Sequence, residues 1–230
     1  MTVTVENLEH KQEKYRQIAP LLEETYGRKQ WKRHDGMDEL VSCILSQSTT
    51  DANRDRGFEA LKVAYPTWAD VHHAPEDELI ETIRPAGLAN SKGPYIQGSL
   101  ETIFEERGEY NIDFLEEMPV DEAKAWLTKL TGVGPKTAAI VLCFGYNRPA
   151  FPVDTHVHRL GKRIGLLPPK ISAGKAHEHM EIIVPDEEFY AFHLQLIYHG
   201  RAICKARSPQ CEECPIKQHC DYYQSLDKEV

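Results

Sequence analysis

Lys136 and Asp154 could act together in catalysis. A lysine amine can attack an electrophilic carbon, and a carboxylate can accept a proton or stabilise positive charge. Lys136 lies in the first turn of a predicted helix, where a positive charge is electrostatically unfavourable. It is therefore either an ordinary solvated lysine or an amine kept neutral for nucleophilic attack. Asp154 follows the apolar run Phe151-Pro-Val, and it either N-caps the helix that starts near His156 or acts as a functional carboxylate. Taken alone, each residue favours a structural interpretation, a surface lysine or a helix cap. The two together, after the glycine-rich turn at Gly132–Gly134, favour catalysis.

The segment Leu130-Thr-Gly-Val-Gly-Pro-Lys136 predicts a tight turn between two helices. Gly132 and Gly134 permit φ > 0 on both sides of Val133, and Pro135 suits a first helical position. The backbone N–H groups near Gly132 to Lys136 would be unpaired at a helix N-terminus, which favours an anion such as phosphate. The helix ahead of the turn is predicted from apolar residues at i, i+3, i+4 spacing: Val120, Ala123, Trp126, Leu127 and Leu130.

A second group of chemically capable residues is a cysteine cluster near the C-terminal end. Cys204, Cys211, Cys214 and Cys220 are separated by six, two and five residues. Disulfides are disfavoured, because the charged start of the chain lacks an apolar signal region and predicts a reducing compartment. Four thiolates at this spacing fit either a zinc ion or an iron–sulfur cluster.

These segments resemble the helix-hairpin-helix (HhH-GPD) DNA glycosylases of the endonuclease III branch. The resemblance is carried by Leu130–Lys136, by Val153-Asp-Thr-His156 and by the cysteine spacing, and it extends from about Met37 to Tyr223. It implies a [4Fe–4S] cluster, rather than zinc, on the four cysteines. It also implies that Lys136 and Asp154 are the catalytic residues.

The activity that the resemblance implies is base excision repair by a bifunctional DNA glycosylase and AP lyase, a hydrolase and lyase in one protein. The partner would be double-stranded DNA with a damaged base, expected to be an oxidised pyrimidine, or with an abasic site. Lys136 would displace the base and form a Schiff base with the sugar, and β-elimination would then nick the strand. Asp154 would stabilise the positive charge on the sugar.

The same resemblance implies DNA contacts around the turn and in two loops. Gly132, Val133 and Gly134 would anchor a phosphate. Family members often place a glutamine at the position of Ser48 to fill the space of the extruded base, but here the glutamine is Gln47, so either residue is a candidate. The alternative for Ser46–Asp51 is a simple capped turn.

Leu88, in the sequence GLANSK, would intercalate into the duplex by resemblance, and the alternative is a buried loop leucine. Lys205 and Arg207 would contact the DNA backbone, or else form part of a solvated basic face.

The predicted helix 155–164 would turn His156, Arg159 and Lys162 or Arg163 towards solvent or phosphate. By resemblance, His156 lies near the pocket and contacts the strand. His156 and His158 are too close in sequence to share a metal on a helix.

The net charge of −9 is unfavourable for a DNA-binding protein, but its distribution is uneven. Residues 132–220 carry 11 lysines and arginines against eight acidic residues, so the acidic excess is remote in sequence from the proposed site. We expect modest, salt-dependent affinity for DNA. No stretch approaches the length of a membrane span, and we expect a cytoplasmic monomer that associates with the nucleoid when bound to DNA.

The periodicity predicts an all-α fold, because nothing in residues 1–131 alternates at period two for long. Helices are expected at about 6–27, 51–64, 155–164 and 188–200, with another from Pro75 to Ile83. By resemblance, two helical lobes face each other across a cleft, with Lys136 on one wall and Asp154 on the other. One is a six-helix barrel with the helix-hairpin-helix, residues 29–148, and the other is an iron–sulfur cluster domain formed by 1–28 and 149–230.

The sequence is compatible with two other functions. A helix-hairpin-helix module that only grips DNA would not need both Lys136 and Asp154. A mismatch glycosylase acting on uracil or thymine is kept open by the unusual Ser46–Thr49 segment. An adenine-removing homologue is disfavoured, because that branch usually lacks the lysine. The preferred lesion, the opposite base, the balance of glycosylase and lyase activity and any redox role of the cluster are not determined by the sequence.

Overall fold

Every regular element is a helix in residues 4–226, the part of the chain that the computed structural model describes. This confirms the all-α prediction. The chain divides into two units: one from Arg33 to Arg148, and one made of the described residues up to Lys32 and from Pro149 onward. Residues 1–3 and 227–230 of the predicted cluster domain lie outside the described range. No helix in that range is long and apolar enough to cross a membrane.

The unit from Arg33 to Arg148 contains seven α-helices in its described chain. They are α2 (Gly36–Leu45), α3 (Asp51–Ala64), α4 (Trp68–His73), α5 (Glu76–Thr82), α6 (Ala89–Arg107), α7 (Val120–Leu127) and α8 (Pro135–Ile140). A 3₁₀ turn, Arg84–Ala86, lies between α5 and α6, and a π-helical turn, Val141–Gly145, continues α8. The core is formed by fully buried apolar residues, which include Leu40, Ile44, Ile96, Leu100 and Leu142.

The other unit is built on the helix α1 (Leu8–Tyr26) and four helices from the second half of the chain. These are α9 (Thr155–Ile164), α10 (Ala173–Ile183), α11 (Phe189–Ala202) and α12 (Asp221–Leu226). Its core contains aromatic pairs: Tyr15 meets Phe192 edge to face at 5.0 Å between ring centroids, and Phe151 meets Phe189 at 5.2 Å. Such pairs add to the stabilisation from apolar burial.

Helix α3 packs closely on the 3₁₀ turn Arg84–Ala86, which leads directly into the loop of Leu88. A Cβ atom at Gly57, in the middle of α3, would lie 2.7 Å from the Cβ of Ala86 and 3.2 Å from its backbone nitrogen. Glycine is therefore required by the approach of two backbones. This contact fixes the position of the loop that follows Ala86.

We predict that Gly57→Ala destabilises the protein, although alanine normally favours a helix over glycine by about 1 kcal/mol. The added methyl group meets backbone that cannot move aside, and overpacking of this kind costs roughly 1–3 kcal/mol. Urea unfolding measures the change in the free energy of unfolding.

The matched control is Gly174→Ala in α10, where nothing lies within 4 Å of an added Cβ. Its stability should be unchanged or increased by up to about 1 kcal/mol. Equal gains in both variants would show that α3 does not constrain the 3₁₀ turn.

Candidate active site and cysteine cluster

The turn between α7 and α8 is tight because of one of its two glycines. Gly132 has φ 77°, in the left-handed region, and a Cβ there would lie 2.5 Å from Cγ of Tyr95. Gly134 has φ −101° and ψ 179°, an extended conformation open to any residue, so the prediction of φ > 0 on both sides of Val133 is wrong for Gly134. A Cβ at Gly134 would have nothing within 4 Å, which leaves its backbone exposed.

The unpaired amides of the turn are fewer than the sequence predicts. The N–H of Val133 donates to Leu130 O at 3.1 Å, and its side chain is buried. Helix α8 has no side-chain N-cap, so the N–H groups of Lys136 and Thr137, in its first turn, have no intrahelical acceptor. An anion could therefore be bound by the first turn of α8 beside the exposed Gly134, with Val133 contributing only to the shape of the turn.

Two polar side chains hold the turn from outside. The Gln47 amide donates to Gly132 O at 2.9 Å, and the Ser99 hydroxyl donates to Thr131 O at 2.9 Å. Gln47, a candidate DNA contact from the sequence, thus supports the turn with its amide nitrogen. Sequence reasoning missed this role, because the partner is a backbone carbonyl 85 residues away.

Lys136 lies in the first turn of α8, half-buried, while Thr137 and Ala138 beyond it are buried. No hydrogen bond or ion pair holds its amine among residues 4–226. Its charge is felt by the thiol of Cys43: burial and the neighbouring Glu39 raise the pKa of Cys43, and Lys136 partly opposes them. The π-helical turn that continues α8 is of a kind often found at functional sites.

Ser48 and Leu88 are at the tips of two adjacent loops, and both have left-handed backbones, with φ 51° and 52°. The loops are close, because a Cβ at Gly87 would lie 3.9 Å from Oγ1 of Thr49. Ser48 is exposed, and Leu88 is 59% exposed. The alternative of a buried loop leucine is therefore wrong. Thr50, in the same polar segment, caps α3, so the capped turn expected as the alternative for Ser46–Asp51 is present.

Asp154 is the N-cap of α9, as the sequence predicts. Its Oδ1 accepts the Val157 N–H at 2.7 Å, and α9 begins at the next residue. Its other oxygen accepts no hydrogen bond from the described part of the chain. One carboxylate oxygen thus orients the side chain, and the second is available for other contacts.

The extended segment ahead of Asp154 is held by side chains of α10 and α11. Glu181 accepts the Phe151 N–H at 2.9 Å, the Val153 N–H donates to Nδ1 of His177 at 3.2 Å, and His193 donates to Pro152 O at 2.9 Å. Backbone groups outside any helix are thereby satisfied, which fixes where α9 starts.

The basic residues of α9 are less available than the sequence predicts. Arg159 donates to Cys204 O and to Gly200 O, and Arg163 donates to Lys205 O at 2.7 Å and to Ala206 O. The guanidinium groups of Arg159 and Arg163 are therefore engaged by loop carbonyls, although both side chains remain partly exposed, and Lys162 stays a candidate for the solvent-facing position.

His156 is half-buried beside Arg159. Its Nδ1 accepts from Arg159 at 3.1 Å, so the proton of the neutral ring is on Nε2. Burial lowers the pKa of His156, and Arg159 and Arg201 act in the same direction against Asp154. The lowered pKa favours the neutral ring, whose N–H on Nε2 remains a hydrogen-bond donor.

The four clustered cysteines line one enclosed pocket whose other walls are largely apolar, with Ile164, Ile203 and Ile216 among them. Burial raises the pKa of the thiols of Cys211 and Cys220, and that of Cys214 to about 11. Thiolates here would therefore need a compensating metal group. N–H donors that could stabilise bound thiolates are present: Arg163 donates to Sγ of Cys204 at 3.3 Å, and Nε2 of His199 is 3.5 Å from Sγ of Cys214.

Within residues 4–226, no three His, Cys, Asp or Glu side chains have the arrangement of a site for one metal ion.

Between the first two cysteines, Lys205 and Arg207 are exposed on a loop that Arg163 holds by its carbonyls. Exposure of this kind fits both a DNA contact and a solvated basic face.

Comparison with known families matches two segments of the chain. Residues 41–186 match the HhH-GPD superfamily base excision DNA repair protein, and residues 204–220 match the iron-sulfur binding domain of endonuclease III. The second match begins at Cys204 and ends at Cys220. The cofactor is therefore an iron–sulfur cluster, as the resemblance implied, and not zinc.

Individual relatives agree with the family match. Endonuclease III of Thermotoga maritima is 34% identical over 197 residues, 86% of this chain and 88% of that protein. A putative DNA glycosylase of Arabidopsis thaliana is 35% identical over 190 residues, which are 78% of this chain but only 64% of the longer plant protein.

A solved structure similar to this chain is a trapped endonuclease III–DNA covalent intermediate. It is 31% identical, with a TM-score of 0.76 over 92% of this chain and 98% of that one. A match over more than half of the chain, together with these relatives, places the protein plainly: it belongs to the HhH-GPD superfamily of base excision DNA repair proteins, in the endonuclease III branch.

Proposed function

We propose that this protein is a bifunctional DNA glycosylase and AP lyase that excises oxidised pyrimidines from double-stranded DNA. The observation that carries the proposal is Lys136, an amine without a partner among the described residues, in the first turn of the helix behind the glycine turn. A similar protein has been trapped in a covalent intermediate with DNA, which requires a nucleophile on the protein.

The reaction begins when the damaged nucleotide is rotated out of the duplex, because its C1′ is inaccessible inside the stack. The first turn of α8 and the exposed Gly134 bind a phosphate and set the register. Neutral Lys136 attacks C1′, forming a bond to its nitrogen while the glycosidic bond breaks and the base leaves with the electron pair and a proton. The sugar ring opens to give an imine. Loss of a C2′ proton then expels the 3′ phosphate and nicks the strand.

Asp154 stabilises the positive charge that develops on the sugar and helps to remove a proton from Lys136. The N-cap hydrogen bond from Val157 to Oδ1 holds the carboxylate in one orientation. A group held in this way does not need to reorganise during the reaction, which favours electrostatic stabilisation.

The remaining DNA contacts are proposed for four exposed residues and for the half-buried His156. Ser48 and Leu88 enter the space left by the extruded nucleotide, His156 contacts the strand, and Lys205 and Arg207 contact backbone phosphates. Gln47 contributes to DNA binding indirectly, because its amide holds the turn at Gly132.

We propose that Cys204, Cys211, Cys214 and Cys220 hold a [4Fe–4S] cluster with a structural role. When bound, the cluster supplies folding energy by tying together the loops from 204 to 220, which contain only short helical turns. Residues 29–148 are proposed as the barrel domain, and 1–28 with 149–230 as the cluster domain. The protein is expected to act as a cytoplasmic monomer that associates with the nucleoid on DNA.

The mismatch and non-catalytic alternatives are less well supported than this proposal. The relatives are named as endonuclease III, and a thymine-DNA glycosylase among similar structures is 24% identical, which shows a shared fold alone. A set of duplexes, each with one oxidised or mismatched base, separates the substrate classes.

We predict that borohydride crosslinks the protein to a duplex with an abasic site by reducing the imine, and that Lys136→Gln abolishes the crosslink. Denaturing gel electrophoresis measures the covalent product. Lys129→Gln is the control, because Lys129 is an exposed lysine shortly before the turn and should crosslink like the wild type. A crosslink at full yield in Lys136→Gln would mean that another residue is the nucleophile.

For Asp154, asparagine separates the cap from the catalytic role. Asn caps a helix about as well as Asp, so Asp154→Asn should keep its thermal stability and DNA binding, whereas Asp154→Ala should lose about 1 kcal/mol. Both should lose base excision by roughly 100-fold or more, since loss of an electrostatic stabiliser costs about that much. Single-turnover kinetics measures base excision, and calorimetry measures thermal stability. Wild-type turnover in Asp154→Asn would leave Asp154 as a cap only.

The purified protein should contain iron and acid-labile sulfide in equal amounts, with no stoichiometric zinc. Cys211→Ser should lose iron and unfold at lower temperature, because a ligand and its folding energy are removed. Cys143→Ala is the control, since Cys143 is buried in the other unit and should leave the iron content unchanged. Metal analysis and thermal unfolding give the result, and one zinc per chain would contradict the assignment.

A further inference from the structure

Lys92 is a buried lysine that the proposed reaction does not use. It is 1% exposed and lies in the first turns of α6. Its ammonium group donates to two backbone carbonyls, Leu45 O at 2.7 Å and Ala86 O at 2.8 Å. Burial lowers its pKa, and no charged side chain contributes to that shift. The ammonium group of Lys92 is thus buried without a carboxylate to pair with, and burial of an unpaired charge is energetically unfavourable.

The two acceptors lie just before the loops of Ser48 and Leu88. Leu45 is the last residue of α2, three residues before Ser48. Ala86 ends the 3₁₀ turn, two residues before Leu88. Carbonyls at the C-terminal end of a helix lack intrahelical partners, and a cation is favoured there. One ammonium group therefore satisfies the ends of two elements and ties them together.

Both loop tips are strained, so they need such a support. Left-handed backbone is unfavourable at Ser48 and Leu88, because neither residue is glycine. Strain of this kind persists only where the surrounding structure imposes it. The tips themselves are exposed, so the support has to come from the buried side of the loops.

We propose that Lys92 is a positioning residue that couples the two loops, so that Ser48 and Leu88 enter the duplex together at a fixed separation. This inference rests on the proposed function. Without the ammonium group, each loop would have to be ordered separately when DNA binds, at a cost in conformational entropy. Lys92 is too deeply buried to touch DNA itself.

The test compares a duplex that contains one damaged base with single-stranded DNA that contains an abasic site. The duplex reaction requires base extrusion and filling of the stack, whereas a single-stranded abasic site requires neither. Lys92→Met keeps the length and apolar contacts of the side chain but removes the charge and its donors. It should reduce excision from the duplex by at least about tenfold, as loss of positioning far from the chemistry does, with less than about a twofold change on the single strand.

A fluorescent 2-aminopurine base opposite the lesion reports unstacking directly. Its fluorescence should rise on binding of the wild-type protein and rise less with Lys92→Met at saturating protein. Lys92→Gln is made in parallel. Its amide is uncharged and one bond shorter, so it cannot reach both carbonyls, and it should show the same duplex-specific defect if the methionine variant does not fold.

The matched control is Lys14→Met. Lys14 is also buried, 6% exposed, and donates to Ile164 O at 2.9 Å and to the Asp221 carboxylate, far in sequence from both loops. Its variant should keep the wild-type ratio of duplex to single-strand activity.

Equal losses on both substrates for the Lys92 variants, or no loss on the duplex, would overturn the coupling role. A wild-type protein that forms no imine on either substrate would instead contradict the proposed function, so the two failures are distinguishable.

Discussion

The ends of helices leave backbone N–H and C=O groups without partners, and much of the functional architecture of this protein is built from such ends. The N-terminal end of α8 offers free amides beside Lys136. The N-terminal end of α9 is satisfied by Asp154. The C-terminal end of α2 is satisfied by Lys92, which joins it to the 3₁₀ turn before Leu88. Groups that need a partner in every helical protein here orient the side chains that we propose to react or to contact DNA.

This arrangement explains why the structural and the functional interpretations of one residue need not compete. Asp154 caps a helix with one oxygen, and the cap itself gives the carboxylate a fixed orientation. Gln47 holds Gly132 and so shapes the turn that offers amides to an anion. In each case one contact stabilises the fold, and the proposed function uses the groups that this contact leaves free: the second carboxylate oxygen of Asp154 and the amides that follow Gly132.

The arginines of α9 also donate to backbone carbonyls that lack helical partners. Here, however, the contact occupies the charged group and does not leave it free for DNA. Arg159 and Arg163 serve the carbonyls of the loop after α11, which contains little regular structure to satisfy them. Their guanidinium groups are therefore engaged within the protein, and the exposed basic residues near the cysteines include Lys205 and Arg207. With an iron–sulfur cluster at 204–220, this end of the chain depends on charged donors and metal ligation more than on an apolar core.

The sequence by itself determined the helical fold, the glycine turn before Lys136, the cap at Asp154 and the cysteine spacing, because each depends on one continuous segment of the chain or on a periodic pattern along it. Helical periodicity, N-caps and metal-ligand spacing are local properties. Only the tertiary structure decided that Gln47 supports Gly132, that Lys92 joins two loops, that Gly134 is extended and that Arg159 and Arg163 face carbonyls. These contacts join residues up to 85 positions apart through backbone acceptors, and every residue has such an acceptor, so side-chain types cannot reveal which one is used.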